Sequence, residues 1–301
     1  MDRQEQISIL KRTLVSDVAS LFQRPDVKWR SVIAEMARDL KEAAIPAVIF
    51  GGTLRSLLLG RLSRRPRFGR PRDLDIVVAG ASVDGLREQL QEYLVRQTRF
   101  GGLQLQRGNW HFDVWPVDKT WAIVNDASLD ANFQALPQTT FFNLEAIAVD
   151  LWTEPGRRRA IYSGDDRFFA GLIDRTIEIN REENPFPALC VVRSLVFASS
   201  TRFWLGPRLA HYLAVHRESV SNTELEEVQH QHYGAIRISR SEIQTMLDHV
   251  AAAHDLDPQG RIKIPSTGQL TLWDDEEDFT PQLFIHAASP RPTSVRGQGC
   301  D

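Results

Sequence analysis

The sequence predicts an α+β protein in which a small mixed β-sheet is flanked by helices and is followed by an all-helical domain and a flexible tail. Short apolar or alternating runs between residues 45 and 163 have the two-residue period of strands. From 164 to 255 apolar residues recur at helical spacing, and beyond 256 the chain is rich in Pro, Gly, Ser and Thr. We therefore divide the chain into N-terminal helices (1–44), a head (45–163), a helical domain (164–255) and a tail (256–301).

The elements of the head follow from apolar spacing and from turn residues. Thr53 offers an N-cap for a short helix that Gly60 ends, and Glu154-Pro-Gly156 marks the turn of a hairpin. The predicted elements up to that hairpin are the helices Gln4–Gln23, Val32–Leu40, Thr53–Leu59 and Val83–Leu94, and the strands Ala47–Phe50, Asp73–Val78, Leu103–Gln106, His111–Trp115, Leu144–Trp152 and Ala160–Tyr162.

In the helical domain, Asn184-Pro-Phe-Pro187 separates the first two helical patterns. The predicted helices there are Phe168–Ile179, Leu189–Phe203, Pro207–Val215, Thr223–His232 and Glu242–His254.

The composition is that of an ordinary globular protein and excludes several classes. A formal net charge of −3 argues against a protein that is basic throughout, so a polyanion would have to meet a local basic patch. Two cysteines, Cys190 and Cys300, do not make a disulfide framework. The polar N-terminus and the absence of an apolar stretch of about 18 residues predict neither a signal peptide nor a membrane span. We expect a cytoplasmic protein.

Two aspartates open one predicted strand. Residues two apart on a strand point to the same face, so Asp73 and Asp75 place two carboxylates side by side. Their like charges repel unless a divalent cation lies between them, and Mg²⁺ is commonly held by one or two carboxylates plus substrate phosphates. The pair therefore predicts a metal site, although Asp-x-Asp pairs also occur as solvated surface charges.

Asp113, at the centre of His111–Trp115, is the candidate third carboxylate. If that strand neighbours Asp73–Val78, three carboxylates converge, enough for two metal ions in the arrangement used for in-line phosphoryl transfer. Asp118 is the rival, but it follows Pro116, where the strand should end.

A Gly-Gly turn ahead of the short helix predicts a phosphate site. Glycines let the backbone approach an anion closely, and the free N–H groups of a helix N-terminus attract it. Arginines then fill the segment back to the aspartates and would form a positive arc that faces the anion; a solvated loop is the alternative. The residues concerned are Gly51, Gly52, Thr53, Arg55, Arg61, Arg64, Arg65, Arg67, Arg70 and Arg72.

These motifs together resemble a known family. GGTLRSLLLGR (51–61) followed by DLDIVV (73–78) is similar to the signature of poly(A) polymerases and tRNA nucleotidyltransferases (CCA-adding enzymes), within the DNA polymerase β-like superfamily. The likeness continues through FNLEAIAVDL (142–151), GDDRFFAGLI (164–173) and VRSLVFA (192–198), and covers about residues 45–200.

The resemblance implies nucleotidyl transfer from an NTP to a hydroxyl acceptor with release of pyrophosphate. Gly51, Gly52, Thr53, Arg55 and Arg72 would bind the nucleotide. Two Mg²⁺ ions, or Mn²⁺ in their place, would be held by Asp73, Asp75 and Asp113. The implied acceptor is RNA, such as a tRNA 3′ end. Transfer to a protein or a small molecule, as in toxin–antitoxin or antiviral systems, and a non-catalytic nucleotide-sensing adaptor are the alternatives.

The chain also departs from the family pattern. Ser56 stands where the family has Asp, and Thr139-Thr140-Phe141 replaces its Arg-Arg-Asp segment. The neck helix keeps Arg193, but Cys190 replaces the preceding arginine and Phe186 or Pro187 the acidic residue. We expect a divergent member with altered base and acceptor specificity.

Three weaker signals have competing interpretations. Gln269, Leu270, Leu272 and Trp273 resemble the peptide by which bacterial proteins dock on the DNA polymerase sliding clamp, or form an apolar segment that folds back. The histidines are expected to be surface residues rather than metal ligands, and the tryptophans core residues rather than base-stacking platforms. These are His230, His232, His249 and His254, and Trp110, Trp115 and Trp121.

Overall fold

The computed structural model describes residues 1–23, 28–62, 73–98, 100–107 and 110–265, without the side chains of 22, 23, 28–33, 73, 110 and 222. The predicted loop arginines Arg64, Arg65, Arg67, Arg70 and Arg72 and the clamp-like segment around Trp273 lie outside these residues. The elements, in chain order, are α1 Arg3–Gln23, α2 Lys28–Glu42, β1 Ala47–Phe50, α3 Gly52–Leu62, β2 Asp73–Val78, α4 Val83–Gln89, β3 Leu94–Gln97, β4 Leu103–Arg107, β5 Trp110–Pro116, α5 Trp121–Asn125, β6 Ala148–Asp150, β7 Ile161–Tyr162, α6 Arg167–Ile173, β8 Thr176–Ile177, α7 Pro187–Thr201, β9 Trp204–Leu205, α8 Pro207–His216, α9 Asn222–Tyr233 and α10 Arg240–Leu256.

Strands β1 to β7 form one mixed sheet in the order β3-β4-β5-β2-β1-β6-β7. The pairing of β2 with β5 is parallel, and the other pairings are antiparallel. The predicted mixed sheet flanked by helices is thus confirmed. The strand that carries Asp75 lies directly beside the strand that carries Asp113.

The two faces of the sheet are covered differently. Leu74, Ile76, Phe112 and Val114 alternate out of β2 and β5 on one face and are almost fully buried in the main hydrophobic core, which continues into the helical domain. Val77, on the opposite face, joins a smaller cluster with residues of the 117–136 segment. Asp75 shares this second face.

Helix α1 packs along α3. Leu10, Leu14, Val18 and Leu21 recur at helical spacing, and each is no more than 1% exposed. Next to this apolar stripe, the carboxylate of Asp17 accepts hydrogen bonds from Nε and Nη2 of Arg61, the shortest at 2.6 Å. The N-terminal helices therefore hold the helix that follows the Gly-Gly turn.

Helix α6 ends earlier than its apolar spacing predicts. The predicted helix Phe168–Ile179 stops at Ile173, because Arg175 adopts a left-handed backbone conformation (φ 50°). Thr176 and Ile177 then form β8, which pairs with β9 in a small parallel sheet inside the otherwise helical domain. Ile177 and Ile179 are buried as a strand rather than as a helix face, which sequence periodicity does not distinguish over so short a run.

Other boundaries also differ from the prediction. Gly60 does not end the short helix, which continues to Leu62, and α2 begins at Lys28 rather than at Val32. The predicted helix Val83–Leu94 ends at Gln89, and Leu94 instead begins β3. The predicted strand Leu144–Trp152 is reduced to Ala148–Asp150, because Asn143–Glu145 forms a 3₁₀ turn. That turn directs Glu145 away from the strand. The division at residue 163 stays a prediction.

Helix α6 leaves no room for a side chain at Gly171. A Cβ there would lie 2.3 Å from Asn143 Nδ2, 2.9 Å from Leu144 Cδ2 and 3.0 Å from the Thr176 carbonyl oxygen. We therefore expect Gly171→Ala to destabilise the fold by about 1–3 kcal/mol in urea unfolding, as overpacking does. Gly85→Ala is the matched control, since the nearest atom to its Cβ, Ser82 Oγ, is 3.3 Å away. Equal stability of the two variants would contradict the packing described.

In the described part of the chain, no helix has both the length and the apolar character needed to cross a bilayer.

Candidate active site

A row of four side chains crosses the sheet where β1 ends. Phe50 is paired in register with Asp75, Asp75 with Asp113, and Asp113 with Gln104. Residues in register on neighbouring strands point to the same face. The carboxylates of Asp75 and Asp113 therefore lie next to each other on the face opposite the main core.

Asp73 pairs with His111 one step along the same two strands. Its backbone places it two residues from Asp75, and its side chain lies outside the described part of the structure. Among the described side chains, no group of three His, Cys, Asp or Glu residues lies close enough to hold a metal ion. The predicted set of Asp73, Asp75 and Asp113 stays a prediction.

The Gly-Gly turn emerges from β1 directly beside this row. Gly51 has a left-handed conformation (φ 67°), which favours glycine, and its N–H donates a 2.9 Å hydrogen bond to the carbonyl of Ile147. Helix α3 begins at Gly52. The N-terminus of an eleven-residue helix, with the positive end of its dipole, thus points to the region of the carboxylates.

The carboxylates and the turn face one cavity of about 960 Å³ between the head and helices α7 and α9. This volume is at the upper end of the roughly 300–1,000 Å³ typical of small-molecule sites. Of the predicted site residues, six line it: Gly51, Gly52, Thr53, Arg55, Asp75 and Asp113. The other lining residues are Phe50, Ser56, Leu59, Gln104, His111, Thr140, Phe142, Glu145, Arg193, Val196, Phe197, Ser200, Gln231, His232 and Tyr233.

Two predicted candidates lie away from this cavity. Arg61, expected in the positive arc, is instead paired with Asp17 of α1 and is not among the lining residues. Asp118, the rival third carboxylate, sits in a turn after β5 ends at Pro116 and pairs with Lys119 at 3.3 Å. The preference for Asp113 over Asp118 therefore agrees with where the strand ends.

Glu145 joins the head to the helical domain through two arginines. Its Oε1 accepts a 2.8 Å hydrogen bond from Nη1 of Arg55 and a second from Nη2 of Arg193. The Glu145 side chain is 12% exposed, and those of Arg55 and Arg193 are 20% and 25% exposed. Sequence analysis did not identify Glu145 as a site residue. The available signal was a carboxylate within an otherwise apolar run.

Arg55, Glu145 and Arg193 form a triad whose charges favour the ionised form of the Glu145 carboxylate. Burial by itself would raise the pKa of Glu145, but the charges and hydrogen bonds of Arg193 and Arg55 outweigh it, so that the pKa lies below its ordinary value. Burial opposes the charge on Arg193, yet Glu145 raises the pKa of that guanidinium overall. Two cations and one anion leave a net positive charge beside the Gly-Gly turn.

The guanidinium groups of both arginines in the triad lie over aromatic rings. Arg55 lies 4.5 Å from the ring centroid of Phe197, and Arg193 lies 5.2 Å from that of Phe142. The hydrogen bonds to Glu145 and these ring contacts together restrict the positions of both arginines.

The departures from the resembled pattern have local structural explanations. Ser56 Oγ donates to the Gly52 carbonyl at 3.0 Å, Thr140 Oγ1 donates to the Phe142 carbonyl at 2.9 Å, and Phe141 is buried in the core. Cys190 is buried as well, and burial raises the pKa of its thiol to about 12. Phe141 and Cys190 therefore support the fold, whereas Ser56 and Thr140 also line the cavity.

Of the three tryptophans considered above, Trp115 and Trp121 have described side chains. Trp121, at the start of α5, is half-buried and belongs to neither hydrophobic cluster. Trp115 packs in the smaller cluster, with its ring 6.3 Å from Phe50, and its Nε1 donates to Thr120 Oγ1 at 3.0 Å. This is the expected core role. The side chain of Trp110 lies outside the described part of the structure.

No protein-family model matches the chain, and neither does any curated protein sequence. Solved structures do. The Thermotoga maritima CCA-adding enzyme in complex with tRNA aligns over 77% of this chain and 54% of its own, with a TM-score of 0.54 and 16% identity. A CCA-adding enzyme in complex with CTP aligns over 81% and 56%, with a TM-score of 0.55 and 17% identity. A tRNA-processing enzyme in an apo form aligns over 76% and 57%, with a TM-score of 0.50 and 20% identity.

The chain thus spans slightly more than half of the length of each of these structures. Identities this low establish a shared fold, and the activity has to be argued from the site. The chain therefore shares its fold with the matching part of these CCA-adding and tRNA-processing enzymes.

Proposed function

We propose that this protein is a nucleotidyltransferase that transfers a nucleoside monophosphate from an NTP to a hydroxyl acceptor, with RNA as the first candidate acceptor. The observation that carries the proposal is the convergence of Asp75 and Asp113, in register on neighbouring strands, on the cavity that also holds the Gly51-Gly52 turn. Two carboxylates beside a positively charged anion site match the needs of phosphoryl transfer. The known activity of the structures that share the fold agrees with this assignment.

Each part of the site has a task in that reaction. The N–H groups at the start of α3, with Thr53 and Arg55, bind and orient the β- and γ-phosphates of the NTP. The acceptor hydroxyl attacks the α-phosphorus in line, the bond from that phosphorus to the bridging oxygen breaks, and pyrophosphate leaves. Asp113 takes the proton of the attacking hydroxyl as general base.

The donor set suits Mg²⁺. Asp75 and Asp113 offer oxygen ligands on one face, and Asp73 is two residues from Asp75 on the same strand. Bound there together with the NTP phosphates, Mg²⁺ or Mn²⁺ would neutralise charge on the attacking and leaving oxygens. The protein's own contribution is to fix the phosphates and the acceptor relative to each other.

A labelling experiment tests the activity. The purified protein with Mg²⁺ is incubated with each α-³²P-labelled NTP in turn and with total cellular RNA and protein as acceptors. We expect label in RNA that disappears in the double variant Asp75→Asn/Asp113→Asn. Equal labelling by wild type and double variant would refute the assignment of the two carboxylates.

Transfer to a protein or a small molecule is the second candidate. It is favoured by the engagement of Arg193 with Glu145 and by the burial of Phe141 in the core, since these leave the site different from that of the family it resembles. Aspartate-dependent label in the protein fraction or in a small product would support this candidate over an RNA acceptor. A sliding-clamp contact through Gln269, Leu270, Leu272 and Trp273 remains a prediction about the undescribed tail.

A further inference from the structure

The residues that line the cavity change from charged groups at the head to aromatic rings at helix α9. A continuous set of neighbours runs from Gly52, whose Cβ would lie 3.6 Å from Arg55 Nη2, through Arg55 and Glu145 to Arg193. Tyr233, at the end of α9, lies close enough to Arg193 to raise the pKa of its guanidinium. The cavity therefore has an anion-binding side at the head and an aromatic side at the helical domain.

The aromatic side is formed by two helices. Helix α7 contributes Val196, Phe197 and Ser200, and α9 contributes His232 and Tyr233. The rings of His232 and Tyr233 are packed edge to face, with centroids 4.6 Å apart, and the guanidinium of Arg237 lies 5.7 Å from the centroid of Tyr233. A nucleotide has the same division into a polyanionic and an aromatic part, so its triphosphate at the Gly-Gly turn leaves its base directed to this side.

Helix α7 has little capacity to recognise individual nucleobases, because its charged residue is held in the triad. To distinguish bases, a site needs donors and acceptors that are held in place and directed at the base edge. Arg193 is the charged residue of α7 that lines the cavity, and its guanidinium is bound to Glu145 and lies over Phe142. Gln231, a polar neighbour on α9, is exposed and so lacks the packing that would fix its position.

We infer that the nucleobase is held by stacking against Tyr233 of α9 and that the four bases are bound with little discrimination. The inference rests on the proposed function, because it assumes that an NTP occupies the cavity. Every base has an aromatic face, so a stacking contact tolerates all four. A residue of the helical domain would thus supply the contact with the base. The triphosphate, which all four nucleotides have in common, would supply most of the binding affinity.

Equilibrium binding tests the inference without requiring turnover. Titration calorimetry with ATP, GTP, CTP, UTP and inorganic tripolyphosphate, in Ca²⁺ in place of Mg²⁺, gives a Kd for each. We expect the four nucleotides to bind within about fivefold of one another. Tyr233→Leu should weaken all four by about tenfold and leave tripolyphosphate unchanged, whereas Tyr233→Phe should retain wild-type affinity. His230→Ala, an exposed residue of the same helix that does not line the cavity, is the matched control.

The possible results separate the two proposals. A preference of more than about twentyfold for one base, or unchanged nucleotide affinity in Tyr233→Leu, would overturn the stacking inference and leave the proposed function standing. Equal weakening of NTP and tripolyphosphate would also overturn it, since Tyr233 would then act only on the structure. Absence of binding by all five probes would refute the nucleotide site itself. Nucleotide binding as expected without any transfer would refute the activity alone.

Discussion

Asp75→Asn is expected to lower nucleotidyl transfer by about a thousandfold or more while the protein stays folded. Asp75 lies in the centre of the row that connects the Gly-Gly turn with Asp113, so its loss removes a ligand position and a negative charge from the reacting centre. A thousandfold loss corresponds to roughly 4 kcal/mol, within the several kcal/mol that metal-assisted charge stabilisation supplies. Asp113→Asn should have a similar effect if Asp113 is a ligand or the base.

Stability measurements give this prediction a second, independent readout. Two like charges side by side repel, so removing either one should leave the midpoint of thermal unfolding in EDTA unchanged or raised. Asp118→Asn is the matched control, because Asp118 is an exposed carboxylate just beyond the same strand, and its activity should stay near that of the wild type. Activity within tenfold of wild type in Asp75→Asn would exclude the proposed role, as would full activity in EDTA.

Glu145→Ala is expected to lower the free energy of unfolding by about 2–4 kcal/mol. Breaking a buried ion pair leaves its partner uncompensated and costs about 3–5 kcal/mol, and the partial exposure of both arginines reduces that figure. The loss should appear in urea unfolding, with Glu145→Gln intermediate because it keeps the shape and one acceptor.

A double-mutant cycle isolates the triad from general packing. The effects of Glu145→Ala and Arg193→Ala should be non-additive by at least about 0.5 kcal/mol, as for residues in one network. Arg3→Ala is the control, since Arg3 pairs with Asp174 at the surface and should change stability by no more than about 1 kcal/mol. Additive effects of the two triad variants would show that Glu145 and Arg193 are not energetically coupled.

Those parts of the site that depend on short, strongly patterned segments could be predicted from the sequence. The alternation in Asp73–Val78 and His111–Trp115 gave the strands, and the glycines gave the turn, because strand periodicity and backbone freedom are local properties. That β2 and β5 are neighbours could only be assumed, because strand pairing depends on the whole chain.

The triad could not be predicted from local sequence patterns for the same reason. Arg55, Glu145 and Arg193 belong to separate segments, and only the packing of α7 against the head brings them together. Likewise, Tyr233 reaches the cavity through the position of α9 rather than through any feature of its own segment. The early end of α6 at Arg175 shows the converse, since an arginine in a left-handed conformation carries no clear sequence signal.

The packing of α1 along α3 determines where the chain can be cut into fragments that fold. Leu58 and Leu62 of α3 are buried in the same core as the apolar stripe of α1, and Asp17 binds Arg61 at the end of the helix that carries Arg55. A fragment that began at β1 would expose that side of α3 to water and free the helix whose first turn holds the phosphate site. For truncation, domain exchange or transfer of the head to another protein, the smallest self-sufficient unit therefore starts at α1.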